Sequence, residues 1–113
     1  MAVTPGTYNF TVQRRADYSL DLQFKDANDA VIDLTGYTVY SQAWNQARTK
    51  KSADFAVAYT NRSNGQVTMS LTNAQTELFP DKLYYDVLLE DSGGTREYYL
   101  EGVITVSEGY SAP

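Results

Sequence analysis

The stretch Leu83–Val106, LYYDVLLEDSGGTREYYLEGVITV, decides the fold. Two runs that alternate apolar and polar residues flank Ser92-Gly93-Gly94-Thr95, the pattern of a β-hairpin. A two-residue turn at Gly93-Gly94 sets Ser92 opposite Thr95 and predicts every other pair. On one face Asp91 meets Arg96, Leu89 meets Tyr98, Val87 meets Leu100, Tyr85 meets Gly102 and Leu83 meets Ile104. That face is apolar with an ion pair at its tip, and Tyr85 covers the cross-strand glycine. A one-residue slip would carry these side chains to opposite sides of the sheet, so the pattern argues for a single register. The second face sets Glu90 opposite Glu97 and Asp86 opposite Glu101, flanked by Tyr84, Leu88, Tyr99 and Val103. Directly opposed like charges destabilise a sheet, so this acidic, aromatic face must be solvated or meet a positive partner.

Working outward, period-two alternation recurs along the chain. Tyr8, Phe10 and Val12 share one side of a first strand. From Tyr18 to Phe24 the alternation has no fault, with Tyr18, Leu20, Leu22 and Phe24 inward and Ser19, Asp21 and Gln23 outward. Asp26-Ala27-Asn28-Asp29 turns the chain into a short Val31-Ile32 strand, and Asp33-Leu34-Thr35-Gly36 makes a corner, with Gly36 free to take a positive φ. Tyr37 to Trp44 is a strand with Tyr37, Val39, Ser41 and Ala43 on one face and Thr38, Tyr40, Gln42 and Trp44 on the other. Asn45 to Asp54 reads as an exposed loop. Phe55 to Tyr59 and Gln66 to Leu71 are strands joined through an Asn64-Gly65 turn. Thr72 is an N-cap for one short helical turn over Asn73 to Leu78, stopped near Pro80. Seven or eight short strands with turn signals between them predict an all-β chain, an antiparallel β-sandwich, with a small barrel as the alternative. The 113 residues form one domain, with residues 1–7 as an amino-terminal arm and 107–113 as a carboxy-terminal tail.

Composition removes several classes of chemistry. There is no cysteine and no histidine, so thiolate nucleophiles, imidazole metal ligands and Ser-His-Asp catalysis are absent. A formal charge of −5 argues against nucleic acid as a main partner. No charged and apolar leader opens the chain and no run reaches membrane-spanning length, which gives the expectation of a soluble protein with no membrane partner. Ten tyrosines against one tryptophan and four phenylalanines suit half-exposed strand faces and recognition surfaces.

The candidate sites follow from what remains. Glu97 and Glu101 share a strand face but stand about 13 Å apart, too far for paired-carboxylate glycoside chemistry. Asp86 and Glu101 are close, on a flat face without a pocket, so no catalytic residue is assigned. Asp26, Asn28, Asp29 and Asp33 are oxygen ligands in one turn region, yet the run lacks the ligand spacing and glycine of an EF-hand. They read as turn formers, with no metal and no cofactor. Residues 42–64 hold Arg48, Lys50, Lys51 and Arg62 against Asp54 alone, a net of +3, while the rest of the chain carries five basic and thirteen acidic residues, a net of −8. The segment is either a solvated loop or a docking element for the acidic hairpin face of another copy or another protein. Trp44 joins Asp86, Glu90, Glu97, Glu101, Tyr84, Tyr99, Arg48, Lys50 and Lys51 as the candidate protein interface. Tyr40, Trp44, Tyr84 and Tyr99 also allow a sugar-stacking platform, the alternative from a different class.

Three runs occur together in one family. An amino-terminal strand pair and Asp-rich turn lead to the corner Asp33-Leu34-Thr35-Gly36-Tyr37. Asn73-Ala74-Gln75-Thr76, running to Pro80, leads to Tyr85-Asp86. The closing hairpin ends in Leu100-Glu101-Gly102-Val103-Ile104-Thr105-Val106-Ser107. In this combination the chain resembles tailed-bacteriophage virion proteins, similar to the amino-terminal β-sandwich module of baseplate upper proteins and to small tail or head accessory proteins. The resemblance implies an immunoglobulin-like sandwich without enzymatic activity, assembled into the virion in the host cytoplasm. Its partners would be other virion structural proteins and copies of itself. A tail or baseplate component is the leading expectation and a capsid decoration protein the runner-up. The baseplate pattern continues into a long fibre-forming or receptor-facing extension, and a sequence that ends at Pro113 carries the expectation of none.

Overall fold

The computed structural model describes residues 6–26, 28–109 and 111. Its strands are β1 (Gly6–Thr7), β2 (Phe10–Gln13), β3 (Tyr18–Gln23), β4 (Thr38–Trp44), β5 (Lys51–Asp54), β6 (Ala56–Asn61), β7 (Gln66–Leu71), β8 (Lys82–Glu90) and β9 (Arg96–Ser107). A single helical turn, α1 (Asn73–Glu77), joins β7 to β8, and a 3-10 turn at Arg62–Asn64 joins β6 to β7. The larger sheet runs β1-β9-β8-β4-β5, with β2 also paired to β9, and the smaller sheet runs β3-β7-β6. With β3, β7 and β6 facing β9, β8, β4 and β5, this is the strand order of an immunoglobulin-like β-sandwich. Its pairs are antiparallel except that β1 and β2 run parallel to β9.

The alternation read from the sequence is what builds the two layers. In β4, Val39, Ser41 and Ala43 are buried while Thr38 and Tyr40 face solvent. β3 keeps its inward Tyr18, Leu20 and Leu22 against outward Ser19, Asp21 and Gln23, and Phe24 beyond it is fully buried. Val12, Phe24, Leu34, Met69, Leu83, Val87 and Ile104 fill the space between the sheets. Ser41, buried among these side chains, donates to the Asp86 carbonyl at 2.6 Å. The helical turn starts at Thr72 with a capping box: the Thr72 hydroxyl accepts from Gln75 N while the Gln75 side chain accepts from Thr72 N. At the corner before β4, Gly36 takes φ +83°, as expected.

The β8–β9 hairpin follows the expected register over its lower half and departs from it above. Leu83 pairs with Ile104, Tyr85 with Gly102, Asp86 with Glu101 and Val87 with Leu100. Beyond Val87 the register shifts by one, so Leu88 meets Tyr98, Leu89 meets Glu97 and Glu90 meets Arg96. The expected pairs Leu89–Tyr98, Asp91–Arg96 and Glu90–Glu97 are therefore wrong. The cause lies in the turn, which holds three residues rather than two. Asp91 N donates to Thr95 O at 2.9 Å and Gly94 N donates to Asp91 O at 3.1 Å, with Gly94 at φ +87°. The Asp91 carboxylate also accepts from Gly93 N and Thr95 N, both at 2.9 Å. A loop one residue longer changes the parity of the pairing, and a bulge at Tyr99 restores it lower down.

Three further expectations need correction. Lys51–Asp54 is strand β5, paired with β4, so the exposed loop shrinks to a turn over residues 45–50. Gly6 and Thr7 pair with Leu100 and Glu101 as a strand instead of forming an arm, while residues 1–5 lie outside the described residues. Ser107 closes β9, and Arg14 and Arg15 both donate to the Glu108 carboxylate, which ties the start of the expected tail to the domain. Arg15 also donates to Gly109 O, and residues 110, 112 and 113 lie outside the described residues.

Candidate docking face

Outward side chains of the larger sheet line up in rows across its strands, because paired residues on adjacent strands point to the same face. Nearest the β8–β9 turn, Thr38, Glu90 and Arg96 form one row. Below it Tyr40, Leu88 and Tyr98 form a second. Asp54, Gln42, Asp86 and Glu101 form a third, and Lys51, Trp44, Tyr84 and Val103 a fourth. Successive rows lie two residues apart along β4 and β8, about 7 Å, while β9 takes an extra residue between Tyr98 and Glu101 at its bulge. The face thus reads, along the strands, ion pair, apolar row, acidic row, aromatic row.

Each row has its own chemistry. Arg96 Nε donates to Glu90 Oε2 at 2.5 Å, so the top row neutralises itself. In the second row Tyr40 is 45% and Tyr98 51% exposed, with half-buried Leu88 between them. In the third, burial raises the Asp86 carboxyl above its ordinary value, Arg48 acts against the shift, and the Glu101 charge opposite adds to it. Asp54, at the edge of the same row, accepts from Lys51 Nζ at 2.9 Å. The fourth row is joined to the third by Trp44 Nε1, which donates to Gln42 Oε1 at 2.9 Å.

Arg48 reaches this face from the β4–β5 turn. The turn is tied by Asn45, whose side-chain oxygen accepts from Thr49 N at 2.8 Å and Lys50 N at 3.1 Å. Arg48 sits at φ +56°, a left-handed conformation that costs a non-glycine residue stability. Its guanidinium lies 4.5 Å from the centre of the Trp44 ring. Together with Asp86, Gln42 and Trp44 it borders the two shallow grooves of the face, one towards Tyr98 and one towards Tyr84 and Glu101.

The sequence-derived interface residues therefore divide. Asp86, Glu90, Glu101, Tyr84, Trp44 and Arg48 come together on one face. Lys51 is at its edge with Asp54, and Lys50 is exposed in the adjoining turn. Glu97 and Tyr99 are on the other side of the sheet, because the bulge at Tyr99 reverses the alternation. Tyr99 packs edge-on against Phe24 at 4.6 Å, accepts from Lys25 N at 2.9 Å and donates to Lys25 O at 3.1 Å, closing one end of the sandwich. Glu97 pairs with buried Leu89 and lines a cavity of about 110 Å³ with Ile32, Tyr37 and Tyr99.

The basic segment is also redistributed. Arg62 donates to Leu34 O at 3.1 Å and Tyr37 O at 2.8 Å and lies 3.6 Å over the Tyr59 ring, so it holds the corner before β4. In the Asp-rich turn the Asp26 carboxylate accepts from Asn28 N and Ala30 N, and Asp33 accepts from Thr35 N. These carboxylates organise turns. Sequence reasoning missed that Tyr98, Arg96 and Tyr40 share one face with Leu88. The signal was present in Asp91-Ser92-Gly93-Gly94-Thr95, where Asp91 can accept two backbone N–H groups and Gly94 suits the third loop position.

No protein-family model and no curated protein matches the chain. Among solved structures it is similar to the crystal structure of the Lin-41 filamin domain, with 15% identity, a TM-score of 0.49, and coverage of 88% of this chain and 84% of that one.

Proposed function

We propose that this chain is a non-enzymatic assembly module of a tailed-phage virion, a tail or baseplate component that docks in many copies through the outer face of its larger sheet. The observation that carries the docking role is the exposed Tyr40–Leu88–Tyr98 row beside an acidic row. A small domain that leaves a cross-strand apolar row uncovered next to unbalanced charge has a surface suited to burial against a partner. The virion setting rests on the runs Asp33 to Tyr37, Asn73 to Pro80 and Leu100 to Ser107. Capsid decoration would use the same face against a different lattice. Sugar stacking is less well supported, because Arg48 covers the Trp44 ring and Tyr99 faces inward.

Labelling tests the reading. The protein, fused to a compact electron-dense tag at its carboxy terminus, is expressed during phage infection and the purified particles are imaged. Tag density on the tail or baseplate is expected. Density on the head lattice supports the decoration reading, and untagged particles refute both.

A further inference from the structure

The ordering of the rows restricts what can cover this face. A second copy docked face to face about a two-fold axis through the acidic row would set Asp86 and Glu101 against their own counterparts. That arrangement adds like charges to a pair already opposed. A complementary surface needs a cation at the level of Asp86 and Glu101, with apolar groups about 7 Å away on both sides. One helix supplies this: residues i, i+4 and i+8 rise about 6 Å per step, and a helix is about as wide as three strands. Among the described residues the chain's own α-helix has only five residues, too few for three such positions, which points to a helix of a different protein.

Arg48 already stands beside the cation position. It is delivered by a strained left-handed residue, it lies over Trp44, and it borders both grooves beside Asp86. Resting on the docking function proposed above, we infer that the face receives a basic amphipathic helix of a different protein, with a Lys or Arg between two apolar anchors, and that Arg48 is the intramolecular stand-in this cation displaces. Arg48 keeps the acidic row partly neutralised in the free protein and competes with the incoming helix. The competition favours partners that bring apolar anchors as well as charge.

The test uses the full chain and a synthetic helical peptide of about 18 residues carrying Leu at i and i+8 and Arg at i+4. A second peptide has Glu at i+4. Arg48→Gly is the informative variant, because glycine accepts the left-handed turn without strain. The Arg peptide should bind Arg48→Gly about tenfold more tightly than the parent, and Asp86→Asn with Glu101→Gln should abolish the gain. Equal affinity for parent and variant overturns the inference, as does binding of the Glu peptide as tightly as the Arg peptide. Self-association of Arg48→Gly would make the occupant a second copy and also overturn it. If neither peptide binds, the inference fails, while incorporation of a Tyr98→Ser variant into particles separately decides the docking function.

Discussion

Gly102 is the position at which one methyl group should do the most damage. The chain between β1 and β2 crosses directly over it. A Cβ built there overlaps the Tyr8 carbonyl oxygen, and lies 2.7 Å from the Tyr8 carbonyl carbon and 3.0 Å from Tyr85 Cε1. Carbon atoms in contact prefer about 3.5 Å or more, so the Tyr8 backbone must move away by about 1 Å. Three bonds depend on its present place: Tyr85 Oη donates to Tyr8 O at 2.6 Å, Tyr8 N donates to Glu101 O at 2.9 Å, and Val103 N donates to Asn9 Oδ1 at 2.9 Å. At about 1 kcal/mol each, Gly102→Ala should destabilise the fold by about 3 kcal/mol and lower Tm by about 12 °C. Urea denaturation measures it, and a double-mutant cycle identifies the cause. Tyr85→Phe should cost about 1 kcal/mol in the parent and close to nothing once Gly102→Ala has broken the bond. A Gly102→Ala protein within about 0.5 kcal/mol of the parent would refute the reasoning, and so would a Tyr85→Phe cost that is the same in both backgrounds.

Other consequences are equally specific. Arg62→Lys keeps the charge but loses the planar fork on Leu34 O and Tyr37 O and the stacking on Tyr59, and should cost about 2 kcal/mol by denaturant titration. Thr72→Ala removes half of the capping box and should cost about 1 kcal/mol. Asp33 is held below its ordinary value by hydrogen bonds from Thr35, so its contribution is present above the unfolded value of 3.8 and is lost as pH falls through the folded one. Asp33→Asn should therefore be less stable than the parent near neutrality and lose less on acidification. Asp86 has the opposite sign: burial raises its folded value, so its ionised form costs stability at neutral pH and acidification relieves the cost. Asp86→Asn should stabilise the protein by about 0.5 kcal/mol near neutrality, and the gain should vanish below the unfolded value of 3.8 in pH-dependent thermal melts.

Most of the sandwich was legible because its information is periodic. β3, β4 and β7 alternate cleanly, and Thr72 carries its capping partner three residues on. β5 was not legible, since Lys51-Ser52-Ala53-Asp54 has one buried apolar side chain and takes its strand state from pairing with β4. The parallel pairing of β1 and β2 with β9 is likewise a tertiary outcome, with no local signal in Gly6 and Thr7. The candidate face was half legible. Asp86 opposite Glu101 came directly from the hairpin, but a turn one residue longer exchanged Tyr98 for Tyr99 and withdrew Glu97. The place of Arg48 depends on a left-handed residue in a loop, which a composition argument cannot locate.

The central claim is that the outer face of the larger sheet is the surface through which this protein docks. A high-resolution image of the assembled particle tests it most directly. The account predicts Tyr40, Leu88 and Tyr98 buried against a neighbouring chain, with a Lys or Arg of that chain at Asp86 and Glu101. A particle in which this row faces solvent while the smaller sheet makes the contacts would contradict it.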